Sequence, residues 1–195
     1  MQFKTTTRET FISYFTIISC NIISRNILKA EHGICCALGI FEEDVCLGKI
    51  VVDDSIKALQ SLASHHRSQF GIPVIGITGS DGKTIVKEWL YQLTAGNYNV
   101  TRSPRSYNSQ IGVPLSVWML NENSTLGIFE AGISQCHEMS NLQHIIKPTI
   151  GIITNISGAH QENFKSLQQK CCEKLQLLSG CDIIIYNADD EILSD

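Results

Sequence analysis

The stretch PVIGITGSDGKTIVKEWL, residues 73–90, decides the fold class of this 195-residue chain. Residues 74–77 are continuously apolar, which is typical of a short strand buried on both faces of a parallel sheet. Gly79 and Gly82 follow in a turn, and the residues from Thr84 to about residue 93 favour a helix. A strand, a glycine turn and a helix in this order form the setting that a phosphate-binding loop requires.

The polar groups of this turn have the chemistry to bind a phosphate chain. Glycines let successive backbone N–H groups face inward and surround phosphate oxygens. Lys83 supplies a positive charge for the β- and γ-phosphates, and the Thr84 hydroxyl is a candidate Mg²⁺ ligand. Five residues, not the usual four, separate Gly76 from Gly82, so the prediction depends on the shorter core TGSxGKT. A plain glycine turn before an amphipathic helix remains the alternative.

The nucleotide is expected to contact the whole turn and its flanks. Asp81 is unusual there, because a carboxylate repels an anion unless it points to solvent or to a metal. The expected nucleotide-binding residues are Thr78, Gly79, Ser80, Asp81, Gly82, Lys83 and Thr84.

Beyond the turn, apolar strands alternate with helices. Strands are predicted at residues 74–77, 100–102, 126–130, 149–155 and 182–187, and helices at 54–70, 114–120, 138–146 and 162–178. Such alternation indicates an α/β fold, a mostly parallel sheet with helices on both faces. Because the sequence ends soon after a strand, we expect no closing helix and an incomplete domain.

Composition excludes several classes of protein. Hydrophobic residues make up 43% and charged residues 17% of the chain, which suits a folded core, and the net charge of −4 argues against nucleic acid as a partner. No apolar run is long enough for a membrane helix, and residues 11–20 are a poor signal peptide, so we expect a cytoplasmic protein. The eight cysteines include no CxxC and are expected to be reduced core residues.

Polar residues follow two predicted strands at the sheet edge where ligands bind in open α/β folds. Glu130 ends one strand and Asn155 ends another, with His160 in the loop that follows. A carboxylate and an imidazole beside a triphosphate could hold Mg²⁺, although imidazole is the less typical ligand. Helix capping by Glu130 and an ordinary loop role for His160 remain alternatives. Lys174 borders the apolar stripe of its helix, where a lysine usually extends to water.

In combination, these motifs resemble the Mur ligases, the ATP-dependent amide-forming enzymes of bacterial peptidoglycan synthesis. TGSDGKT is similar to the family's TG[ST]NGK[ST], with Asp81 in place of the common asparagine. The likeness is strong over residues 71–190 and weak over residues 51–70. The other similar segments are SYNSQIGVP at 106–114, FEAG at 129–132, TNI at 154–156 with AH at 159–160, and Lys174, fourteen residues after His160.

The resemblance implies ATP and Mg²⁺ as cofactors and assigns residue roles. The implied catalytic residues are Lys83, Asn108, His160 and Lys174. The implied magnesium ligands are Thr84, Glu130, His160 and Lys174, the last of which the family carbamylates. Within the family, the EAG and IGVPLS segments are most similar to the branch that joins D-alanyl-D-alanine to UDP-N-acetylmuramoyl-tripeptide through an acyl phosphate. Residues 102–118 are similar to a form of that enzyme fused to an alanine racemase.

The resemblance also implies a domain organisation. Residues 1–70 are interpreted as a remnant of an N-terminal UDP-sugar domain with a linker helix. Residues 71–195 are interpreted as an ATP-binding central domain, truncated at its C-terminal end and without the C-terminal domain of the family. Two alternatives remain, a non-catalytic ATP-binding fragment and another ligase of the superfamily, similar to folylpolyglutamate synthase.

Overall fold

A computed structural model describes residues 52–158 and 163–194. The chain divides into two units between Ala58 and Leu59, and the sheet and the described site residues lie in the second. The elements in chain order are α1 (Ser55–Arg67), β1 (Val74–Thr78), α2 (Lys83–Thr94), β2 (Val100–Arg102), α3 (Gly112–Val117), β3 (Leu126–Glu130), α4 (Glu138–Ile146), β4 (Ile150–Ile153), α5 (Leu167–Leu175), a 3₁₀ turn (Gln176–Leu178), β5 (Ile183–Ile185) and α6 (Glu191–Ser194).

The five strands form one parallel sheet in the order β2-β3-β1-β4-β5. This confirms the predicted α/β class. Strand β1 lies at the centre, and every residue of β1 and β3 is buried. All strands run the same way, so their carboxyl ends meet at one edge of the sheet, where ligands of open α/β folds bind.

Helices cover the two faces of the sheet unequally. On one face, Ile77 and Ile128 pack beneath Val86 and Leu90 of α2. The other face carries the larger core, in which Phe129 and residues such as Leu142 of α4 are fully buried. Each such side chain contributes about 1.5–3 kcal/mol by leaving water, so the core holds the central strands and their carboxyl ends in place.

Several predicted boundaries are shifted in the structure. Strands β2 and β3 and helix α4 have the predicted bounds. Helix α3 starts two residues early, at Gly112, because proline at 114 is tolerated in the first turn of a helix. Strand β4 ends at Ile153 instead of residue 155, because the next residues turn toward the loop after β1.

The predictions for the last helices need larger corrections. Residues 163–166 are not α-helical, and α5 begins at Leu167 instead of residue 162. The start is set by Ser166, which has extended backbone and whose Oγ accepts a hydrogen bond from Gln169 N at 3.1 Å. The expectation of no closing helix is also wrong, because the short helix α6 follows β5.

Two expectations from composition can be compared with the described residues. In that part of the chain, no helix is both long and apolar enough to cross a membrane. Its cysteines, Cys136, Cys171, Cys172 and Cys181, are free thiols, as expected of reduced residues, but only Cys171 is buried and Cys172 is exposed, so the expectation that they are core residues holds for Cys171 alone. Residues 1–51 lie outside the described ranges, so the remnant of a UDP-sugar domain remains a prediction.

Candidate active site

The loop after β1 has the backbone conformation that a phosphate loop needs. Gly79 and Gly82 have φ angles of 134° and 77°, in the region that favours glycine. A Cβ at Gly79 would also lie only 2.0 Å from Thr154 Oγ1. Both glycines are therefore required by the local structure. Helix α2 begins directly after Gly82, so its free N–H groups face the loop.

A second loop, residues 154–157 after β4, holds the phosphate loop in shape. Ser80 N donates to Asn155 O at 2.9 Å, and Asp81 N donates to Asn155 Oδ1 at 2.9 Å. Ser157 N donates to Ser80 Oγ at 2.9 Å. These bonds join segments that are more than 70 residues apart in sequence. Asn155, predicted at the end of a strand, therefore acts as a structural support of the loop.

Asp81 lies on the outer side of the loop. Asp81 is exposed, and its Oδ2 accepts a hydrogen bond from Ser157 Oγ at 2.9 Å. Its backbone oxygen accepts another from Thr154 Oγ1 at 2.6 Å. The carboxylate thus points to solvent and to a hydroxyl, which is one of the two orientations that the sequence argument allowed.

Three lysines converge on the phosphate loop and on the second loop that supports it. Lys83 Nζ donates to Gly79 O and Ser80 O, each at 2.9 Å. Lys174 Nζ reaches the same Gly79 oxygen from α5, at 2.8 Å, and Lys170 Nζ donates to Ser157 O at 2.6 Å. Lys170 and Lys174 are only 2% and 3% exposed. The ordinary alternative for a lysine at this helix edge, extension to water, does not apply to Lys174, because a carbonyl of the loop accepts its hydrogen bond inside the protein.

Burial changes the protonation of these lysines. Desolvation lowers the pKa of Lys174 from 10.5 to about 7, and the positive charges of Lys83 and Lys170 contribute to the shift. Burial also lowers the pKa of Lys83, against the opposing effects of Glu130 and Asp81. A lysine with a pKa near 7 is largely neutral at mildly alkaline pH, and a neutral amine is a nucleophile.

Glu130 completes the site at the carboxyl end of β3. The residue is fully buried, and its Oε2 accepts a hydrogen bond from Thr84 Oγ1 at 3.0 Å. Ser106 Oγ lies 3.3 Å from the same hydroxyl. Glu130 therefore contacts the first turn of α2 and does not cap the helix that follows it in sequence. A carboxylate beside a hydroxyl is the hard oxygen donor set that Mg²⁺ prefers, so these residues fit the ion.

The other predicted site residues are placed less completely. Thr78 ends β1, and Asn108 packs against Gly132, whose N–H donates to Asn108 O at 2.7 Å. Asn108 thus lies beside the carboxyl end of β3. His160 falls outside the described residues, so its metal role stays a prediction. Within residues 52–158 and 163–194, no group of three or more His, Cys, Asp and Glu side chains could hold a metal ion.

Two lysines of the site were missed by the sequence argument. Lys87 is fully buried, with Nζ 2.9 Å from Glu130 Oε1, and Lys170 donates to Ser157 O of the loop that supports the phosphate loop. The helical spacing of Lys87 and Lys170 from assigned site residues is the sequence signal that indicates both. Lys87 follows Lys83 by four residues and Lys170 precedes Lys174 by four, so each shares a helix face with a residue already assigned to the site.

A parallel sheet whose central strand ends in a phosphate loop, facing a buried carboxylate, defines an α/β nucleotide-binding domain. Residues 77–195 match the model of the Mur ligase middle domain. The chain belongs to the Mur ligase family, and the resemblance seen in its sequence is confirmed.

Curated relatives and solved structures agree with this assignment. The UDP-N-acetylmuramoyl-tripeptide–D-alanyl-D-alanine ligase of Bacillus subtilis is 33% identical to this chain, over 75% of this chain and 33% of the relative. The ligase of the same name from Borreliella burgdorferi is 40% identical, over 71% of this chain and 30% of the relative. MurF of Thermotoga maritima, solved in complex with ADP, superposes with a TM-score of 0.70 at 27% identity, over 78% of this chain and 37% of that one. The chain thus spans about a third of the length of these proteins. The likeness to a racemase-fused form is not supported.

Proposed function

We propose that this chain provides the ATP- and Mg²⁺-binding part of a ligase that joins D-alanyl-D-alanine to UDP-N-acetylmuramoyl-tripeptide. The proposal is carried by the convergence of the phosphate loop, the buried Glu130 and the buried Lys174 at one edge of the sheet. The names of the relatives supply the two substrates. We also propose a cytoplasmic location, as expected from the sequence.

The proposed reaction has two steps. A carboxylate of the tripeptide attacks the γ-phosphorus of ATP, and ADP leaves as the acyl phosphate forms. The amine of D-alanyl-D-alanine then attacks the acyl carbon and expels phosphate, giving the amide. Lys83 and the N–H groups at the start of α2 stabilise the charge on the transferred phosphoryl group, which is the main source of catalysis in such reactions. Asn108, beside the end of β3, supports the phosphates.

Two magnesium sites are proposed around this loop. Thr84 and Glu130 would hold the first ion, and His160 with carbamylated Lys174 would hold the second. Magnesium supplies positive charge that offsets the charge of the phosphates. Carbamylation joins CO₂ to Lys174 Nζ with loss of a proton, and it requires the neutral amine. The burial of Lys174 and its pKa of about 7 support that role.

A second candidate function is favoured by the partial coverage of the relatives. Because it spans about a third of its relatives, the chain could bind ATP without completing the reaction. The proposed organisation has a UDP-sugar domain remnant in residues 1–70 and an ATP-binding domain in residues 71–195, with substrate groups supplied by a further domain. In this second candidate ATP binds, but no phosphate is released when both substrates are added.

Calorimetry of ATP binding with Mg²⁺ tests the proposal. We expect Lys83→Ala to weaken binding by about 10- to 100-fold, because a charge-assisted contact to phosphate is lost. The matched control is Lys57→Ala, which removes a lysine that is 82% exposed. A folded wild-type protein that does not bind ATP, or an unchanged affinity in Lys83→Ala, contradicts the proposal. Phosphate release with both substrates separates the ligase from the binding fragment.

A further inference from the structure

Lys87 has surroundings that a surface lysine of a helix would not have. Its side chain is completely buried, and Nζ lies 2.9 Å from Glu130 Oε1. The same Nζ donates hydrogen bonds to Ser103 O, at 2.9 Å, and to Arg105 O. Burying an ammonium group is costly unless it is paired and hydrogen-bonded, and here Nζ has two backbone acceptors and forms an ion pair with the Glu130 carboxylate.

The contacts of Lys87 determine how the Glu130 carboxylate is oriented. Oε1 faces Lys87, and Oε2 accepts the hydrogen bond from Thr84 Oγ1 at 3.0 Å. The backbone of the same residue is also held, since Glu130 N donates to Ser103 Oγ at 3.1 Å. With one oxygen engaged on each side, rotation of the carboxylate would break one of the two contacts.

Two carboxylates lie beside Lys87 Nζ, and they differ in exposure. Glu88 Oε1 lies 3.1 Å from Lys87 Nζ, but Glu88 is about one-third exposed and also pairs with Arg102. Glu130, by contrast, is fully buried. The buried carboxylate is therefore the partner whose orientation depends most on the lysine.

We propose that Lys87 is a positioning residue for magnesium–nucleotide binding, which holds the Glu130 carboxylate so that Oε2 is presented beside the Thr84 hydroxyl. The inference rests on the proposed function, because it deepens the role of Glu130 as a magnesium ligand. Residues that orient a metal ligand through a hydrogen bond commonly change metal affinity by roughly 10- to 100-fold when they are removed.

The test compares ATP affinity with and without Mg²⁺, measured by calorimetry on the whole chain. In Lys87→Met, which keeps the length of the side chain and removes its charge, we expect the gain in ATP affinity from Mg²⁺ to fall roughly tenfold or more. The affinity without Mg²⁺ should not change. The matched control is Glu88→Gln, which alters the other carboxylate near Lys87 Nζ and should keep the full gain.

Two results overturn the inference. One is a full magnesium gain in Lys87→Met, and the other is an equal loss of affinity with and without Mg²⁺, which would mean that Lys87 acts only on the fold. If Lys87→Met does not fold, Lys87→Arg takes its place, because it keeps the charge but changes the geometry. The same loss of the magnesium gain is expected there, and its retention overturns the inference.

Failure of the proposed function gives a different result. In that case the wild-type protein itself binds no ATP, and urea unfolding of Lys87→Met, Glu130→Gln and the double variant decides the inference. We expect the double variant to be more stable than the sum of the single effects predicts, because neither charge is left buried alone. Strictly additive effects would show that Lys87 does not hold Glu130.

Discussion

Lys174 Nζ donates a hydrogen bond to the carbonyl oxygen of Gly79 at 2.8 Å, joining residues 95 positions apart in the sequence. Lys83 Nζ donates to the same oxygen. The amine proposed for carbamylation and the lysine proposed for phosphate contact thus share one acceptor on the phosphate loop. A change in the loop should therefore alter the environment of both amines.

The stability of the protein should depend on pH through Lys174. Because the pKa is lowered from 10.5 to about 7 in the folded state, the unfolded state binds more protons between these values, so stability rises with pH. Lys174→Met should remove a slope of up to about 1.4 kcal/mol per pH unit from pH 7 to 8. Urea unfolding of both proteins at several pH values measures the difference, and parallel pH profiles would contradict it.

The proposed carbamate on Lys174 should be visible by NMR spectroscopy. In ¹³C-bicarbonate solution above pH 7, we expect a carbamate resonance in the NMR spectrum of the wild-type protein, because the neutral amine is then abundant. Lys174→Arg should lack the resonance, and Lys165→Arg, which changes an exposed lysine, should keep it. A resonance that persists in Lys174→Arg would assign the carbamate to another group.

Replacement of Asp81 by asparagine should strengthen ATP binding. The change removes a negative charge from the loop while an oxygen remains to accept the hydrogen bond from Ser157 Oγ. One charge near a phosphate at the protein surface is worth about 1 kcal/mol, so the affinity should rise about fivefold at low salt. Calorimetry at two salt concentrations checks this, with Asp182→Asn as an exposed control. Weaker binding in Asp81→Asn would contradict the prediction.

The start of α5 should depend on Ser166. Its Oγ caps the helix by accepting from Gln169 N at 3.1 Å, and loss of a serine cap costs about 1 kcal/mol. Ser166→Ala should therefore lower the free energy of unfolding by that amount. Ser179→Ala, at an exposed position after the helix, is the control. Equal stabilities of the two variants in urea would exclude a capping role.

Strand β5 should favour self-association. Ile183, Ile184 and Ile185 are each about half exposed, and within the described residues β5 pairs with β4 alone. An apolar edge strand is a template for pairing with another chain. Ile183→Thr with Ile185→Thr keeps strand propensity and lowers the apolar area, so the sedimentation coefficient at high concentration should fall toward the monomer value. An unchanged distribution would mean that another surface controls association.

The local features of the fold could be predicted from the sequence. The apolar run that ends at Glu130 predicted the bounds of β3, and the phosphate loop followed from its glycines and Lys83. The supports of the loop could not be predicted, because Asn155 and Ser157 contact it only after the sheet has formed. The burial of Lys87 and Lys174 could not be predicted either, because it comes from tertiary contacts, which periodicity does not report.

The bonds between the phosphate loop and residues 154–157 have a consequence for synthesis of the protein. Strand β1 and the TGSDGKT motif leave the ribosome before residues 154–157, which hold the loop and lie more than 70 positions later in the chain. A nascent chain interrupted before residue 157 would carry the complete motif without its supports. Nucleotide could therefore act as a late folding ligand, stabilising chains whose synthesis has passed β4 and leaving shorter ones unprotected.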